Sequence, residues 1–356
     1  MKKFFFFIKE VVNFIFILFL LPLSLIIFIL NYNKIYKCDL LIYQKSGGFG
    51  HTFTIQDLLR YVYTDKKIVY LQFYDPSRHN IYLNKIFNLR TIVIPTAINF
   101  NFLKKKFGEY EGSFFCIIEK VIIFFVKNKL SISQFYLHLE KEYKNVRIKK
   151  RHNYRWVDIY FYLIKKGRKK LNFFSNRLHL KKKICAIYLR QKNYPDFFSN
   201  SIRSGSSDPK IYFDMINQLI KKNYIIYLVG DDIFTKENID FFKGKVMDYR
   251  SLNLSKKYFN IYAAVNCDLF ISEAGGGSWF GIYAKISVLI NCLPYGYKPF
   301  NFKKILYKRV IEKNNKIMSY KKANKKFYLS YDKIKNYKII NNSSKELASL
   351  VKSEIL

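Results

Sequence analysis

The sequence has few acidic residues, and this shortage limits the classes of partner that the protein can have. Lys and Arg number 63 against 25 Asp and Glu, so the formal net charge is +38. Such a charge favours polyanions: anionic lipid, phosphorylated substrates or nucleic acid. AT-rich codon bias is an alternative source, because Lys, Asn, Ile, Phe and Tyr are all abundant. The lysines are spread along the chain and no nucleic-acid-binding fold signature is present, so we expect no nucleic-acid partner.

Cysteine, histidine, glycine and proline are also scarce. The five cysteines form no CxxC pair, and the five histidines show no metal-ligand spacing. This pattern predicts buried thiols in a reducing compartment and no metal site. With 14 glycines and 7 prolines there is no low-complexity linker and no repeat. The 356 residues, half of them apolar, are enough for two domains.

One long run without charge is present near the N-terminus, at residues 11–30. Twenty such residues can span the hydrocarbon of a bilayer, so we interpret residues 1–34 as a retained transmembrane or monotopic anchor. Lysines lie on both sides of the run, and Pro22 is compatible with a monotopic hairpin. A cleaved signal peptide and a buried core helix are the alternatives.

Beyond the anchor, short apolar runs alternate with segments of helical spacing. Strands are predicted at 39–44, 68–73 and 91–95, and again at 184–190, 224–229, 246–249, 267–271 and 287–291. Such alternation indicates an α/β fold with parallel sheets. We predict two Rossmann-like domains, residues 35–178 and 179–330. A tail at 331–356 ends in a helix that could dock on the first domain.

A glycine loop follows the first predicted strand and precedes a predicted helix. It has neither GxGxxG spacing nor a Walker sequence, so it does not support a nicotinamide enzyme or a P-loop ATPase. His51 at its end is a candidate general base or phosphate donor; a purely structural histidine is the alternative. The other candidate residues of this loop are Gly47, Gly48, Gly50 and Thr52.

A second glycine run lies between a predicted strand and a helix predicted over 279–285. Glycines let backbone amides approach a ligand, and a helix N-terminus favours a pyrophosphate. Tight helix–strand packing is the alternative. Arginine suits phosphate oxygens, and acidic residues at strand ends suit ribose or sugar hydroxyls, although each could equally cap a helix. The candidate donor-binding residues are Arg190, Arg203, Gly230, Asp231, Asp248, Tyr249, Glu273, Gly275, Gly276, Gly277 and Ser278.

Taken together, these pieces resemble the GT-B glycosyltransferases. The stretch 184–294 is similar to a family of predicted bacterial glycosyltransferases from surface-polysaccharide gene clusters. The matching pieces include Arg190, the run from Leu228 to Asp231, and Gly275 to Ser278. The first glycine loop, with His51, is similar to that of the lipid-linked N-acetylglucosaminyltransferase of peptidoglycan synthesis. Gly281 stands where those enzymes carry a ribose-binding Glu, and heptosyltransferases have a similar strand–glycine–helix element.

The resemblance implies two Rossmann-like domains facing a cleft, with the donor held by the second domain and the acceptor by the first. It implies a nucleotide-sugar donor as substrate, no cofactor, no metal, and a lipid-linked or polysaccharide acceptor. It also implies a bacterial inner-membrane protein with cytoplasmic catalytic domains. A catalytically inactive GT-B-like binding or scaffolding protein is the alternative.

Overall fold

The computed structural model describes residues 22, 25–26, 28–44, 67–74, 90–95, 183–190, 208–282, 284–296, 302–312, 314–330, 333–334 and 337–353. The chain divides into two compact units, residues 1–159 and 160–356. The domain boundary predicted near residue 178 falls outside the described residues. Each unit is treated by itself below.

The first unit contains a short parallel sheet. Its strands are β1 (Leu40–Gln44), β2 (Ile68–Tyr74) and β3 (Arg90–Pro95), in the order β1-β2-β3. The Asp39 carboxylate accepts a bond of 2.7 Å from the backbone N–H of Lys67, which fixes the start of the β1–β2 pairing. All three strands confirm the sequence prediction to within one residue at each end.

A helical segment at residues 28–36 precedes β1. Ile35 is buried, whereas Ile29 and Leu30 are among the exposed large apolar side chains. No helix within the described part of the chain has both the length and the apolarity to cross a bilayer. Most of the predicted anchor at residues 11–30 lies outside the described residues.

The second unit is built on a fully parallel six-stranded sheet, which confirms the α/β prediction. In β5 six of the seven residues are buried, as expected for a strand covered on both faces. The strand order is β6-β5-β4-β7-β8-β9. The strands are β4 (Lys183–Leu189), β5 (Tyr224–Gly230), β6 (Val246–Met247), β7 (Leu269–Glu273), β8 (Ile286–Cys292) and β9 (Lys304–Tyr307).

Helices cover this sheet and are started by side-chain caps. Asp208 caps a 3-10 helix, Pro209–Tyr212, that continues into α1 (Phe213–Lys221). Thr235 caps α2 (Lys236–Asp240), and Ser255 caps α3 (Lys256–Asn266). Such caps satisfy backbone N–H groups that have no partner inside the helix. These segments place helices on the chain between β4 and β7, as the sequence predicted.

The C-terminal part of the unit adds elements that the sequence did not predict. Strands β10 (Arg309–Ile311) and β11 (Lys338–Ile340) pair antiparallel, and α4 (Tyr320–Phe327) lies between them in the chain. Phe327 and Val310 belong to a separate small core there. The last helix, α5 (Ser344–Ser353), buries Leu347 and Val351 in the main core beside α1. The apolar face of this helix is thus used within its own unit, and docking of the tail on the first domain stays a prediction.

The strand order fixes where a ligand crevice can lie. Counted within this sheet the order is 3-2-1-4-5-6, the order of a Rossmann fold. Successive connections run in opposite directions from β4 and from β7, so the sheet has its topological switch point between these two strands. Open α/β sheets bind ligands at the carboxyl ends of the strands at this point.

Candidate functional site

Arg190 lies at the carboxyl end of β4, directly at the switch point. Its Nη1 donates to the carbonyl of Ala274 at 2.9 Å, and its backbone N–H donates to Glu273 Oε2 at 2.8 Å. The strand pairing explains this contact, since Tyr188 is opposite Ser272 in the β4–β7 ladder. Two predicted site residues, Arg190 and Glu273, are thus brought together from 83 residues apart.

Glu273 is the last residue of β7 and is only 1% exposed. Besides the Arg190 amide, its carboxylate accepts bonds from the Tyr212 hydroxyl at 2.7 Å and from Asn291 Nδ2 at 2.8 Å. Burial raises the pKa of this carboxyl, against the lowering effect of the three hydrogen bonds. Its oxygens therefore hold four chain segments together, which is a structural role.

Lys308 is a buried cation that the sequence analysis missed. It lies between β9 and β10, is 3% exposed, and its backbone N–H donates to the Cys292 carbonyl at 3.1 Å. Burial lowers the pKa of Lys308 to about 8, an effect that the charge of Glu273 opposes and that of Arg190 reinforces. The available signal was the position of Lys308 after the apolar run ILY, but the many lysines of the chain hid it.

In the glycine triplet at residues 275–277, two glycines are packed closely against side chains of β4 and its end. A Cβ added at Gly275 would lie 2.7 Å from Arg190 Cδ, and one at Gly277 would lie 2.2 Å from the Tyr188 ring. Gly230, at the end of β5, faces the same ring and has φ +94°. The triplet thus closes tightly on β4, as the packing interpretation expected for these two positions.

The segment after the glycines is a 3-10 helix, Gly276–Ile282, and not the helix predicted over 279–285. It begins earlier because Ser278 is bonded inside the turn. Both the backbone N–H and the hydroxyl of Ser278 donate to the Gly275 carbonyl, at 3.0 and 2.6 Å. A bond from this hydroxyl to a diphosphate stays a prediction, and it requires the hydroxyl to turn away from Gly275.

A second group of predicted residues lies where β5 and β6 end. The backbone N–H of Asp231 donates to the Leu189 carbonyl at 3.0 Å, so the chain after β5 passes close to the end of β4. Asp248 is buried, and its carboxylate accepts bonds from the backbone N–H groups of Arg250 and Ser251 and from Arg250 Nε at 2.7 Å. Asp248 thus closes a turn, in keeping with the capping alternative.

Tyr249 belongs to the exposed side of this second group. Its hydroxyl donates to Asp232 Oδ2 at 3.3 Å, and Lys256 Nζ lies 2.9 Å from the same oxygen. The Arg250 guanidinium and the Lys256 ammonium both lie within 6 Å of the Tyr249 ring, at 5.7 and 5.8 Å. These groups can exchange their partners with solvent or a ligand.

The remaining predicted residues lie outside the described residues. They are His51, Gly47, Gly48, Gly50 and Thr52 of the first loop, and Arg203 of the second unit. Their assignments stay predictions. No group of three or more metal-ligating side chains occurs within the ranges that the structure describes. Cys38, Cys185, Cys267 and Cys292 are buried thiols, which confirms the prediction for these four residues.

Comparison with known proteins gave distant structural matches only. No protein-family model matches the chain, and no curated protein sequence does. Two solved structures of the wall teichoic acid polymerase TagF are similar to it, one of them a variant. The variant is 10% identical over 88% of this chain and 82% of its own, with a TM-score of 0.29. The other is 11% identical over 89% of each chain, with a TM-score of 0.27.

Proposed function

We propose that this protein is a membrane-associated glycosyltransferase of GT-B type. It transfers a sugar from a nucleotide-sugar donor to a lipid-linked or surface-polysaccharide acceptor, without a metal ion or cofactor. The donor diphosphate binds at the switch point of the second unit, and the acceptor binds at the loop around His51 in the first. We place both units on the cytoplasmic side of the inner membrane.

The observation that carries the proposal is the strand order of the second unit. It places the switch point between β4 and β7. Arg190 follows β4, and the glycine triplet follows β7. A Rossmann-type sheet offers its ligand crevice at that point, and an arginine there suits phosphate oxygens. The chemistry of the leaving diphosphate then needs only fixed donors and positive charge.

Asp231 and Tyr249 lie at the carboxyl ends of the neighbouring strands, on the β5–β6 side of the crevice. Asp231 is half-buried at the end of β5, and the Tyr249 hydroxyl is bonded only to the exposed Asp232 among the partners described for it. Carboxylates and hydroxyls at this level of the sheet suit the ribose of a bound nucleotide. We assign the nucleoside to this side of the crevice.

Donor binding is tested with the full chain and a panel of nucleotide sugars, by thermal stabilisation followed by calorimetry. A bound donor at about 100 times its Kd adds about 2.7 kcal/mol to the free energy of unfolding. Gly276→Val should abolish this stabilisation, because a branched side chain blocks amide approach to the diphosphate.

Gly244→Val is the matched control. Gly244 has φ +73° and no atom within 4 Å of an added Cβ, so the substitution strains only the turn around residue 244. Normal donor binding by Gly276→Val would refute the assignment.

The acceptor side is tested at His51. General base catalysis contributes roughly 10²–10⁴-fold in rate, so His51→Ala should lower turnover by about that factor and leave donor affinity unchanged. His51→Asn keeps hydrogen bonding but cannot accept the proton. Near-normal turnover of the Asn variant would make His51 a positioning donor. Full activity of both variants would remove the loop from the mechanism.

Membrane association is tested by washing the membrane fraction with high salt and with carbonate. Residues 11–30 carry no charge, and the described end of this region exposes Ile26, Ile29 and Leu30. Isolated apolar side chains at the surface are ordinary, but several on one short helix favour contact with lipid. The protein should stay in the pellet after both washes. Complete release by carbonate would refute a retained anchor.

A second candidate function is supported by the packing of the glycine triplet. Arg190 and Tyr188 occupy the space above Gly275 and Gly277, which accounts for two of the three glycines without any ligand. A GT-B-like protein that binds or scaffolds without catalysis fits this packing equally well. It predicts no thermal stabilisation by any nucleotide sugar, with normal stability of the unliganded chain.

A further inference from the structure

Helix α4 and the residues after it form a surface of exposed aromatic, aliphatic and lysine side chains. Tyr320 is 54% exposed, Tyr328 59% and Leu329 55%. Side chains of this size are usually covered, and their exposure together on one unit marks an interaction surface. We call Tyr320, Lys321, Lys325, Tyr328 and Leu329 the aromatic–lysine face.

The fold places these residues side by side. The Tyr320 ring lies 6.0 Å from the Tyr295 ring, and the Tyr328 ring covers the adjacent Gly296. Both tyrosines therefore border the same turn at residues 295–296. Lys321 and Lys325 are one helical turn apart and point away from Ala323 and Phe327, the two residues that α4 buries in the core.

The charge of the surface is uniformly positive. Residues 313–330 contain six lysines and no acidic residue. Lys322 is paired with Glu312, and Lys326 contacts the Tyr337 ring and hydroxyl. Within the part of the chain that the structure describes, the ammonium groups of Lys321 and Lys325 make no hydrogen bond or ion pair, and both residues are exposed. These two lysines are directed to solvent beside the exposed tyrosines.

We propose that the aromatic–lysine face binds the surface of an anionic phospholipid bilayer. Lysines attract anionic headgroups, whereas tyrosines and an exposed leucine suit the boundary between headgroups and acyl chains. Exposed aliphatic Leu329 favours lipid over nucleic acid, whose bases would be recognised by stacking on aromatic rings. The contact is independent of the catalytic proposal and of the N-terminal segment, and it orients the second unit against the membrane.

The test is a local measurement on the full chain, so that the N-terminal segment does not decide it. Hydrogen–deuterium exchange is compared for the protein reconstituted in nanodiscs of phosphatidylglycerol and of phosphatidylcholine. Amides in residues 313–330 should exchange at least about fivefold more slowly in the anionic discs, and the difference should disappear at high salt. The N-terminal segment is the same in both samples and its uncharged run 11–30 does not distinguish the two headgroups, so it does not account for the difference.

Charge reversal provides the matched comparison. Lys321→Glu with Lys325→Glu should remove the protection, since two lysines near an anionic surface account for roughly a tenfold effect or more. Lys345→Glu with Lys352→Glu, on exposed positions of α5, makes the same change in net charge and should leave protection intact. Leu329→Ser should weaken it with the charges unchanged. Equal exchange in both discs, or protection by an RNA oligonucleotide and not by anionic lipid, would overturn the proposal.

Discussion

Two groups of polar residues lie at the carboxyl edge of the same sheet, and they differ in how their hydrogen bonds are used. At the ends of β4 and β7, Glu273 and Arg190 are buried and bonded to the protein. At the ends of β5 and β6, Asp232 and Tyr249 form solvent-accessible contacts. Glu273 is therefore part of the framework of the crevice, whereas Asp232 and Tyr249 are available to a ligand.

The largest effect is expected from removing the carboxylate of the first group. Glu273→Ala leaves the Arg190 amide, the Tyr212 hydroxyl and the Asn291 amide without their acceptor, all in a buried site. The free energy of unfolding should fall by about 3–5 kcal/mol in urea titrations. Glu273→Gln, which keeps one acceptor oxygen, should lose less. A loss below about 1 kcal/mol for the Ala variant would mean that solvent reaches the carboxylate.

The pH dependence of stability should reveal Lys308. Its pKa is lowered from 10.5 to about 8 in the folded protein, so the buried ammonium destabilises the native state most at and below pH 8. This destabilisation should disappear as pH rises from 8 to 10.5. Relative to Lys308→Met, the wild type should gain about 3 kcal/mol over that range.

The comparison with the Met variant is required because tyrosines also titrate there. Burial raises the pKa of Tyr295 to about 12, which makes the wild type lose stability at high pH by a separate route. That contribution is the same in both proteins and cancels. A constant difference between wild type and Lys308→Met from pH 7 to pH 10 would show that Lys308 reaches solvent.

The close approach of the glycine triplet to β4 is tested by a single methyl group. In Gly277→Ala the new Cβ would lie 2.2 Å from Tyr188 Cε2, so the ring must move. We expect a loss of about 2 kcal/mol, the usual cost of overpacking. Gly244→Ala is the control, with a positive φ but no neighbouring atom within 4 Å, and should cost about 1 kcal/mol. Equal losses would indicate that the Tyr188 ring is not fixed above Gly277.

The smallest effect is expected on the exposed side. Tyr249→Phe removes only the 3.3 Å bond to Asp232, an exposed carboxylate that keeps its contact with Lys256. The free energy of unfolding should change by less than about 0.5 kcal/mol. Donor affinity should fall several-fold if this hydroxyl contacts the nucleoside, as the assignment of the β5–β6 side requires. A large loss of stability would mean that Tyr249, like Glu273, is part of the framework, and the difference between the two groups would then not hold.

Several elements were predictable because their causes are local. The continuous apolar run in β5 gave its position to within one residue, and Asp208 followed by Pro209 marked a helix start that the structure confirms. Strands β9 and β10 were missed because they are short, mostly half-buried and separated only by Lys308. The helix after the glycines was misplaced because Ser278 bonds back to Gly275, a local contact that spacing alone does not reveal.

The sequence by itself determined the parallel α/β architecture and the residues that stand at the strand ends, since both follow from the alternation of apolar runs and polar loops. Only the tertiary structure decided which of those side chains are buried and hydrogen-bonded within the protein. Glu273 meets Tyr212 and Asn291 because the 3-10 helix before α1 and the end of β8 lie beside the end of β7. Lys308 becomes buried because β9 and β10 bring it to the end of β8. The residues next to a carboxylate or an ammonium in the sequence do not show whether its side chain is exposed or buried. The difference arises from the desolvation and hydrogen bonds supplied by segments far away in the chain.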